Sequence, residues 1–174
     1  MIETGYLEEQ TPKEVIFKKL EKELNAQGLR ISQKDFERPW GGFFVVDENQ
    51  IQEFKKRFFN ELVLEDEQFN RKLSPKLLLV APKKRLSWQY HNRRAEVWKL
   101  IEGKASIVRS DSDEQGAINE MKIGELIHLK QGERHRLVGG DSWGIVAEIW
   151  MHTDRDNPSN EEDIIRVEDD FSRK

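Results

Sequence analysis

Leu86 to Trp98, LSWQYHNRRAEVW, decides how the rest of the chain is read. It sets Gln89, His91 and Glu96 around an expected turn between two strands, with Arg93 and Arg94 inside that turn. Residues two apart on a strand share a face, so Gln89 and His91 point the same way and Glu96, past the turn, comes back to meet them. A second glycine-punctuated run, GELIHLKQGERHR from Gly124 to Arg136, carries a fourth donor, His135. Amide oxygen, imidazole, carboxylate and imidazole make an O, N, O, N set suited to one divalent first-row ion, with positions left open for substrate. Zn, Mn, Fe, Co and Ni all fit it. Gln89 is the weakest donor of the four, and its neutrality leaves more positive charge on the ion to polarise a substrate oxygen.

Around these two runs the sequence predicts short strands: Lys76 to Ala81, Ser87 to Tyr90, Val97 to Ile101, Ala105 to Arg109, Ile118 to Lys122, Glu125 to Leu129, His135 to Val138 and Ile145 to Met151. Glu102-Gly103, Ser110 to Gly116, Gln131-Gly132 and Gly139-Gly140 read as the turns between them. So many closely spaced strands predict a sandwich or closed barrel. Upstream, RPWGGFFVV reads as a strand, and residues 11–27 as a helix. Thr11 with Glu14 suggests a capping box, Pro12 the first helical position, Gly28 the stop, and Ile16, Leu20 and Leu24 the apolar stripe. Glu48 to Leu73 is charged, with Ile51, Phe54, Phe58 and Leu62 at helical spacing, and predicts an inserted helix. It either buries its own phenylalanines, covers one end of the barrel, acts as a lid or builds a dimer contact. From Asp163 to Phe171 a short strand or helix is expected to close a barrel edge.

Composition bounds the function. The chain has 174 residues, a net charge of −4 with both signs interspersed, and no cysteine. That length suits one domain, the charge pattern argues against a nucleic-acid surface, and thiolate chemistry and disulfides are excluded. No apolar run is long enough to span a bilayer. MIETGYLEEQ lacks the basic and apolar regions of a signal peptide, so a soluble cytoplasmic protein is expected.

Both core runs resemble the two motifs of a cupin barrel and, more narrowly, the C-terminal cupin of type II mannose-6-phosphate isomerases. That family's first motif reads roughly LSxQxHxxRxExW, which Leu86, Ser87, Gln89, His91, Arg94, Glu96 and Trp98 fit. Its second, GExxxIPxGxxHR, is met by Gly124, Glu125, Gly132, His135 and Arg136, with Lys130 in place of the proline. RPWG at Arg38 to Gly41 and EEDIIRVEDDFSR near the C-terminus resemble two further signatures. Lys83 stands where the family has the glycine of a Pro-Gly turn. The resemblance covers residues 38–47 and 76–173. It implies an all-β fold, a cupin jelly-roll β-barrel with an N-terminal helix and an inserted helical segment. One domain over 1–174 is expected, with an extension over 1–28, an insertion over 48–73 and the barrel core over 76–151. No nucleotidyltransferase loop is present to imply nucleotide-sugar synthesis.

The same resemblance implies a metal-dependent aldose–ketose isomerase acting on a sugar phosphate, of the mannose 6-phosphate/fructose 6-phosphate type, through an enediol. Gln89, His91, Glu96 and His135 would hold the metal. Glu148, at the family's glutamate on the last barrel strand, is either the catalytic base or a partner orienting a histidine. Arg94, Arg136 and Arg166 occupy family positions and Lys76 a fourth, so these four are the expected phosphate and substrate contacts, with Arg94 also a catalytic candidate. Arg166 could instead pair with Asp163 or Glu168 and pin the tail. Trp88, Trp98 and Trp150 either offer a flat face to a sugar ring or pack the barrel. His128 matches no ligand position and is taken as structural. A homodimer binding a small molecule, with no nucleic acid or membrane partner, is expected. Two alternatives stay open: a non-catalytic cupin binding a sugar or sugar phosphate as a sensor or partner domain, and a metal-dependent oxygenase, which leaves the arginines without a use.

Overall fold

The computed structural model describes residues 5–174, so residues 1–4 of the expected extension lie outside the described residues. Helix α1, Lys13–Ala26, buries Ile16, Phe17, Leu20 and Leu24, the stripe that the sequence spacing predicts. It stops where the N–H groups of Gly28 and Leu29 fold back on the carbonyls of Asn25 and Leu24, both at 3.0 Å. Those two bonds satisfy carbonyls that the helix end would otherwise orphan. The start differs from expectation. Pro12 is the N-cap and no side chain caps the helix, because Thr11 lies one residue too far back.

The segment 48–73 is not one helix. A 3₁₀ turn over Glu48–Gln50 leads into α2, Ile51–Phe58, and a single further turn, α3, covers Asp66–Phe69. Ile51, Phe54, Phe58 and Leu62 are all buried, but so is Phe59. An uninterrupted helix would rotate Phe59 about 100° from Phe58, given 3.6 residues per turn. The chain instead leaves helical geometry at Phe59, so both rings reach the core.

Among the described residues nine antiparallel strands carry the fold: β1 Ile31–Asp35, β2 Gly41–Val46, β3 Lys76–Val80, β4 Trp88–Tyr90, β5 Arg94–Ser110, β6 Ile118–Glu120, β7 Leu126–Leu129, β8 Arg134–His152 and β9 Ile165–Glu168. The long β5 and β8 pair from Arg94↔His152 to Ser110↔Arg134 and serve both walls of the barrel. The C-terminal half of β8 pairs with β3, followed outward by β2 and β1, and the N-terminal half of β5 pairs with β7. The N-terminal half of β8 pairs with β4, followed by β9, and the C-terminal half of β5 pairs with β6. The tail therefore closes an edge as a strand.

Two expected turns are strand interior. Glu102-Gly103 and Gly139-Gly140 each lie inside a continuous strand, where the register shifts between Leu100 and Glu102 and between Gly103 and Ala105. Such bulges bend a strand from one wall to the other without ending it. Gly103 has φ +78, and a Cβ there would meet the Trp143 carbonyl oxygen at 1.9 Å. At Lys83 the backbone adopts φ +59. This side chain therefore holds the left-handed geometry of the turn that the resembled family gives to glycine.

Side chains alternate between two cores. Phe43, Val45, Leu78 and Val146 face inward with Trp98, Leu100, Ile107 and Leu137. Their neighbours Phe44, Val46, Leu77, Leu79 and Ala147 face outward under α1 and α2, beside Phe17, Leu20, Phe54 and Phe58. Covering on both faces is why GGFFVV and KLLLV read as unbroken apolar runs rather than as alternations. No helix of the described residues is long and apolar enough to cross a membrane.

Candidate active site

The end of β4, the start of β5 and the start of β8 bring His91, Glu96 and His135 together in the barrel interior. One donor atom from each lies within 4.8 Å of the others, and all three residues are buried. Each imidazole is oriented by a main-chain carbonyl: His91 Nδ1 lies 2.6 Å from Asp163 O and His135 Nδ1 lies 2.9 Å from Glu133 O. A carbonyl can only accept, so Nδ1 carries a proton in both rings, and in the neutral imidazoles the inward Nε2 is a lone pair. His91 Nε2 is 3.1 Å from Glu96 Oε1, and His135 Nε2 is 3.5 Å from Glu96 Oε2.

Two acceptors facing each other need a cation or an extra proton between them. Burial pushes the His91 pKa down, which disfavours the proton. Burial also opposes ionisation of Glu96, but positive charge beside it, on His91 when that ring is protonated and on Arg94, outweighs it and holds this carboxyl well below the usual carboxylate range. Arg94 supplies part of the missing charge, with Nε 2.8 Å from Glu96 Oε1 and Nη2 3.4 Å from His91 Nε2. Among the described residues, buried His135 Nε2 has no hydrogen-bond partner. Orphaned nitrogen, ionised carboxylate and carbonyl-fixed imidazoles are what a divalent ion requires of its ligands. Gln89 is the strand partner of His135 and so stands beside the three, while its amide oxygen accepts the Ser87 hydroxyl at 2.5 Å.

Next to this cluster lies Glu148 on β8, buried, with Lys76 of β3 on one side and Trp98 of β5 on the other. Burial, followed by the negative charge of Glu96, pushes its carboxyl up to about 7. Trp98 Nε1 sits 2.9 Å from Glu148 Oε2 and 3.1 Å from Glu96 Oε2, so one indole N–H orients both carboxylates. Trp150 Nε1 donates to the second Glu148 oxygen at 3.1 Å. Lys76 Nζ lies over the Trp150 ring and 2.9 Å from Glu161, and Arg94 stacks on the same ring at 3.9 Å.

Gln89, Glu96, Glu148, Arg94, Lys76 and Arg166 all line one cavity of about 350 Å³. That volume falls in the range of small-molecule sites, roughly 300–1,000 Å³. Arg94 is on β5 rather than inside the turn. Arg166, the strand partner of Gln89, pairs with neither Asp163 nor Glu168. Trp98 is the tryptophan of the expected three that reaches the cavity; Trp88 and Trp150 are buried packing. His128 is exposed, and its carbonyl accepts Arg109 Nη2 at 2.6 Å.

Arg136 is elsewhere. Fully buried, it points away from the cavity lining and donates to Leu86 O at 2.8 Å and Glu168 O at 3.1 Å. It ties the first motif to β9. Arg136→Ala is therefore expected to cost about 2–4 kcal/mol by stranding those carbonyls in the interior. Urea unfolding checks this, and an unchanged midpoint would contradict the tie.

Asp163 was not singled out for this role by its sequence. Its carboxylate accepts from Asn92 N at 2.9 Å, Arg93 N at 3.0 Å and Ser159 Oγ at 2.6 Å, while its carbonyl orients His91. Burial opposes its ionisation, and those three donors together still lower its pKa. Arg38 and Arg173, inside the two flanking signatures, also line the cavity. Their membership of those signatures was the available signal.

The family described as Mannose-6-phosphate isomerase C-terminal matches residues 63–169. No curated protein is a significant match to the chain. Among solved structures, the capsular polysaccharide assembling protein CapF from Staphylococcus aureus is similar at 14% identity and TM-score 0.50, over 80% of this chain and 32% of that one. Vicilin from Solanum lycopersicum (tomato) is similar at 15% identity and TM-score 0.51, over 79% of this chain and 35% of that one. A Cupin 2 conserved barrel domain protein from Salinispora arenicola shares 22% identity over 52% of this chain and 72% of its own, at TM-score 0.42. The chain spans about a third of the length of the CapF and vicilin chains, and at these identities the likeness shows the fold alone. With more than half of its residues inside the family match and both motifs folded around one barrel cavity, the chain belongs to the mannose-6-phosphate isomerase C-terminal family of cupins.

Proposed function

We propose that this protein is a metal-dependent aldose–ketose isomerase acting on a sugar phosphate, of the mannose 6-phosphate/fructose 6-phosphate type, through an enediol. The observation that carries the reading is Glu148: a buried carboxyl at about 7, on the wall of the cavity that also holds Glu96. A base that both takes and returns a proton works best with a pKa near the working pH. A divalent ion held by His91, Glu96 and His135, with Gln89 alongside, would supply Lewis-acid polarisation of the substrate carbonyl. Glu148 removes the proton from C2 and returns it to C1, while the hydroxyl proton on O2 passes to O1. Trp98 and Trp150 hold the carboxylate in place through both steps. Membership of the family supports a sugar-related role, and the particular reaction is our proposal.

The test is incubation of metal-reconstituted protein with mannose 6-phosphate in heavy water, followed by NMR for fructose 6-phosphate and for deuterium at C2. Conversion that disappears with chelator is the expected result. One observation favours the second reading, a non-catalytic sugar or sugar-phosphate sensor: both Glu148 oxygens already accept indole N–H bonds. Binding with neither conversion nor exchange would decide for it.

A further inference from the structure

Five cations line the cavity, and they fall into two groups. Lys76 and Arg94 are inside, each held by a carboxylate: Glu161 for Lys76 and Glu96 for Arg94. Arg94 is further committed to Ser159 Oγ at 2.9 Å and Asn160 O at 3.0 Å. Arg38, Arg166 and Arg173 form the outer group, with the Arg38 side chain 39% exposed and that of Arg173 21% exposed. Three separate elements deliver them: the connection between β1 and β2, strand β9, and the segment after it.

Of the outer arginines, Arg166 is the one without a carboxylate partner among the described residues. Among the described residues no side-chain carboxylate accepts a hydrogen bond from Arg166; its Nη1 donates to the main-chain oxygen of Lys174, and its buried Nε has no acceptor. Arg38 Nε is 2.9 Å from Asp35 Oδ2 but lacks the alignment of a hydrogen bond. Arg173 makes two side-chain bonds to Asp169, both at 2.8 Å. Burial lowers the Arg166 pKa, and the neighbouring charge of Arg173 lowers it further, opposed by the Asp169 carboxylate, with Arg38 adding to the lowering. Asp35 and Asp169 are the carboxylates paired within this group of three guanidinium ions, which leaves one positive charge for a further anion to offset. Helix α1 holds the arrangement: Lys13 Nζ donates to the carbonyls of Phe36 at 2.6 Å and Arg38 at 2.9 Å.

We propose that Arg38, Arg166 and Arg173 form a dianion subsite at the cavity mouth that takes the phosphate of the sugar phosphate, while Arg94 and Lys76 serve the carboxylates inside. Guanidinium groups suit this because their paired N–H donors match phosphate oxygens. The register supplies the reach. Arg166 pairs with Gln89, which pairs with His135, so two strand spacings of about 4.8 Å each separate the anchor strand from the ligand strand. Glu148 lines the same cavity as the three arginines, so one bound molecule can meet both. The proposal rests on the isomerase reading for its sugar and on the arginine geometry for its anion.

The test measures binding of inorganic phosphate, mannose 6-phosphate and mannose to the metal-loaded protein by calorimetry, with turnover assayed in parallel. Arg38→Gln, Arg166→Gln and Arg173→Gln are each expected to weaken both phosphates by about tenfold or more, leaving mannose and metal affinity unchanged. Arg166→Lys, which keeps the charge and loses the fork, should fall between. Should Arg173→Gln lower the melting temperature by releasing Asp169, Arg166→Gln carries the test, since no carboxylate depends on its side chain. Unchanged phosphate affinity in these variants, or a wild type that binds no phosphate, overturns the subsite. Turnover with unchanged KM in the triple variant overturns it while leaving the isomerase standing. Phosphate binding lost in the variants, from a wild type that neither converts nor exchanges, leaves the subsite standing and removes the isomerase.

Discussion

His135→Ala is expected to abolish stoichiometric divalent-metal binding and leave the protein folded. His135 Nε2 is buried without a partner, so its removal strands nothing except the Glu133 carbonyl that Nδ1 now satisfies. The barrel interior is held by Trp98, Leu100, Ile107, Leu137 and Val146, of which Trp98 would lose an edge-on ring contact with His135 at 5.3 Å. A cost of about 1–3 kcal/mol in stability follows from the small cavity and the freed carbonyl. The effect on metal is larger. Groups that merely orient a ligand are worth about 10–100-fold in metal affinity, so loss of a ligand itself should exceed about 100-fold. Metal content after dialysis, with circular dichroism for the fold, measures both. Added metal should raise the melting temperature of the wild type and not that of His91→Ala/His135→Ala. Retained metal, or global unfolding of the double variant, would show the cluster to be part of the core rather than a site.

Glu148→Gln should reduce turnover by about 10²–10⁴-fold, the usual contribution of a positioned base, with metal retained. The wild type should lose activity as pH falls through about 7, because the carboxylate must be ionised to accept the C2 proton. Stability moves the opposite way. With the folded-state pKa raised from 4.5 to about 7, the folded protein holds this proton more tightly than the unfolded chain does. The associated stabilisation, about 3 kcal/mol, is fully present below the unfolded value and lost as pH rises through the folded one. Glu148→Gln removes that dependence. Its amide nitrogen then faces one of the two indole N–H groups, at a cost of about 1–3 kcal/mol. Rate profiles and melting curves between pH 5 and 8, roughly the span over which this carboxyl titrates, separate the two effects. An unaltered rate in the variant would remove Glu148 from the chemistry.

How much was legible in the sequence depends on whether a feature is local. The spacing of Gln89, His91 and Glu96 across one turn is local, and so is the apolar stripe of α1. These indicated which side chains share a face, because strand and helix periods dictate that, while the choice of a cupin barrel over a sandwich came from the family resemblance. The number of strands was harder. Glu102-Gly103 and Gly139-Gly140 carry turn residues, yet both lie in strands that bend, since a glycine at a bulge and a glycine in a turn look alike in sequence. Phe59 was hidden for a related reason: helical periodicity accounts for Phe54 and Phe58, and only core packing explains why the helix stops to bury the next ring.

Charges were the least legible, because a guanidinium has several donors and a long stem, and its sequence neighbours do not say where it points. Arg94 and Arg136 each adjoin a ligand motif. One donates to Glu96 in the cavity and the other is spent on the carbonyls of Leu86 and Glu168. Asp163, far along the chain from His91, orients that imidazole through a carbonyl that every residue possesses, so nothing in its side chain announced the role. The sequence by itself determined a many-stranded barrel or sandwich and the spacing of Gln89, His91 and Glu96, consequences of short-range periodicity and side-chain type, while its resemblance to the family selected the cupin barrel and pointed to Glu148. Which arginines face the cavity, which strands bend and how the tail locks the first motif were decided by tertiary structure, since these depend on pairings between residues some 30 to 70 apart that compete for the same few buried acceptors.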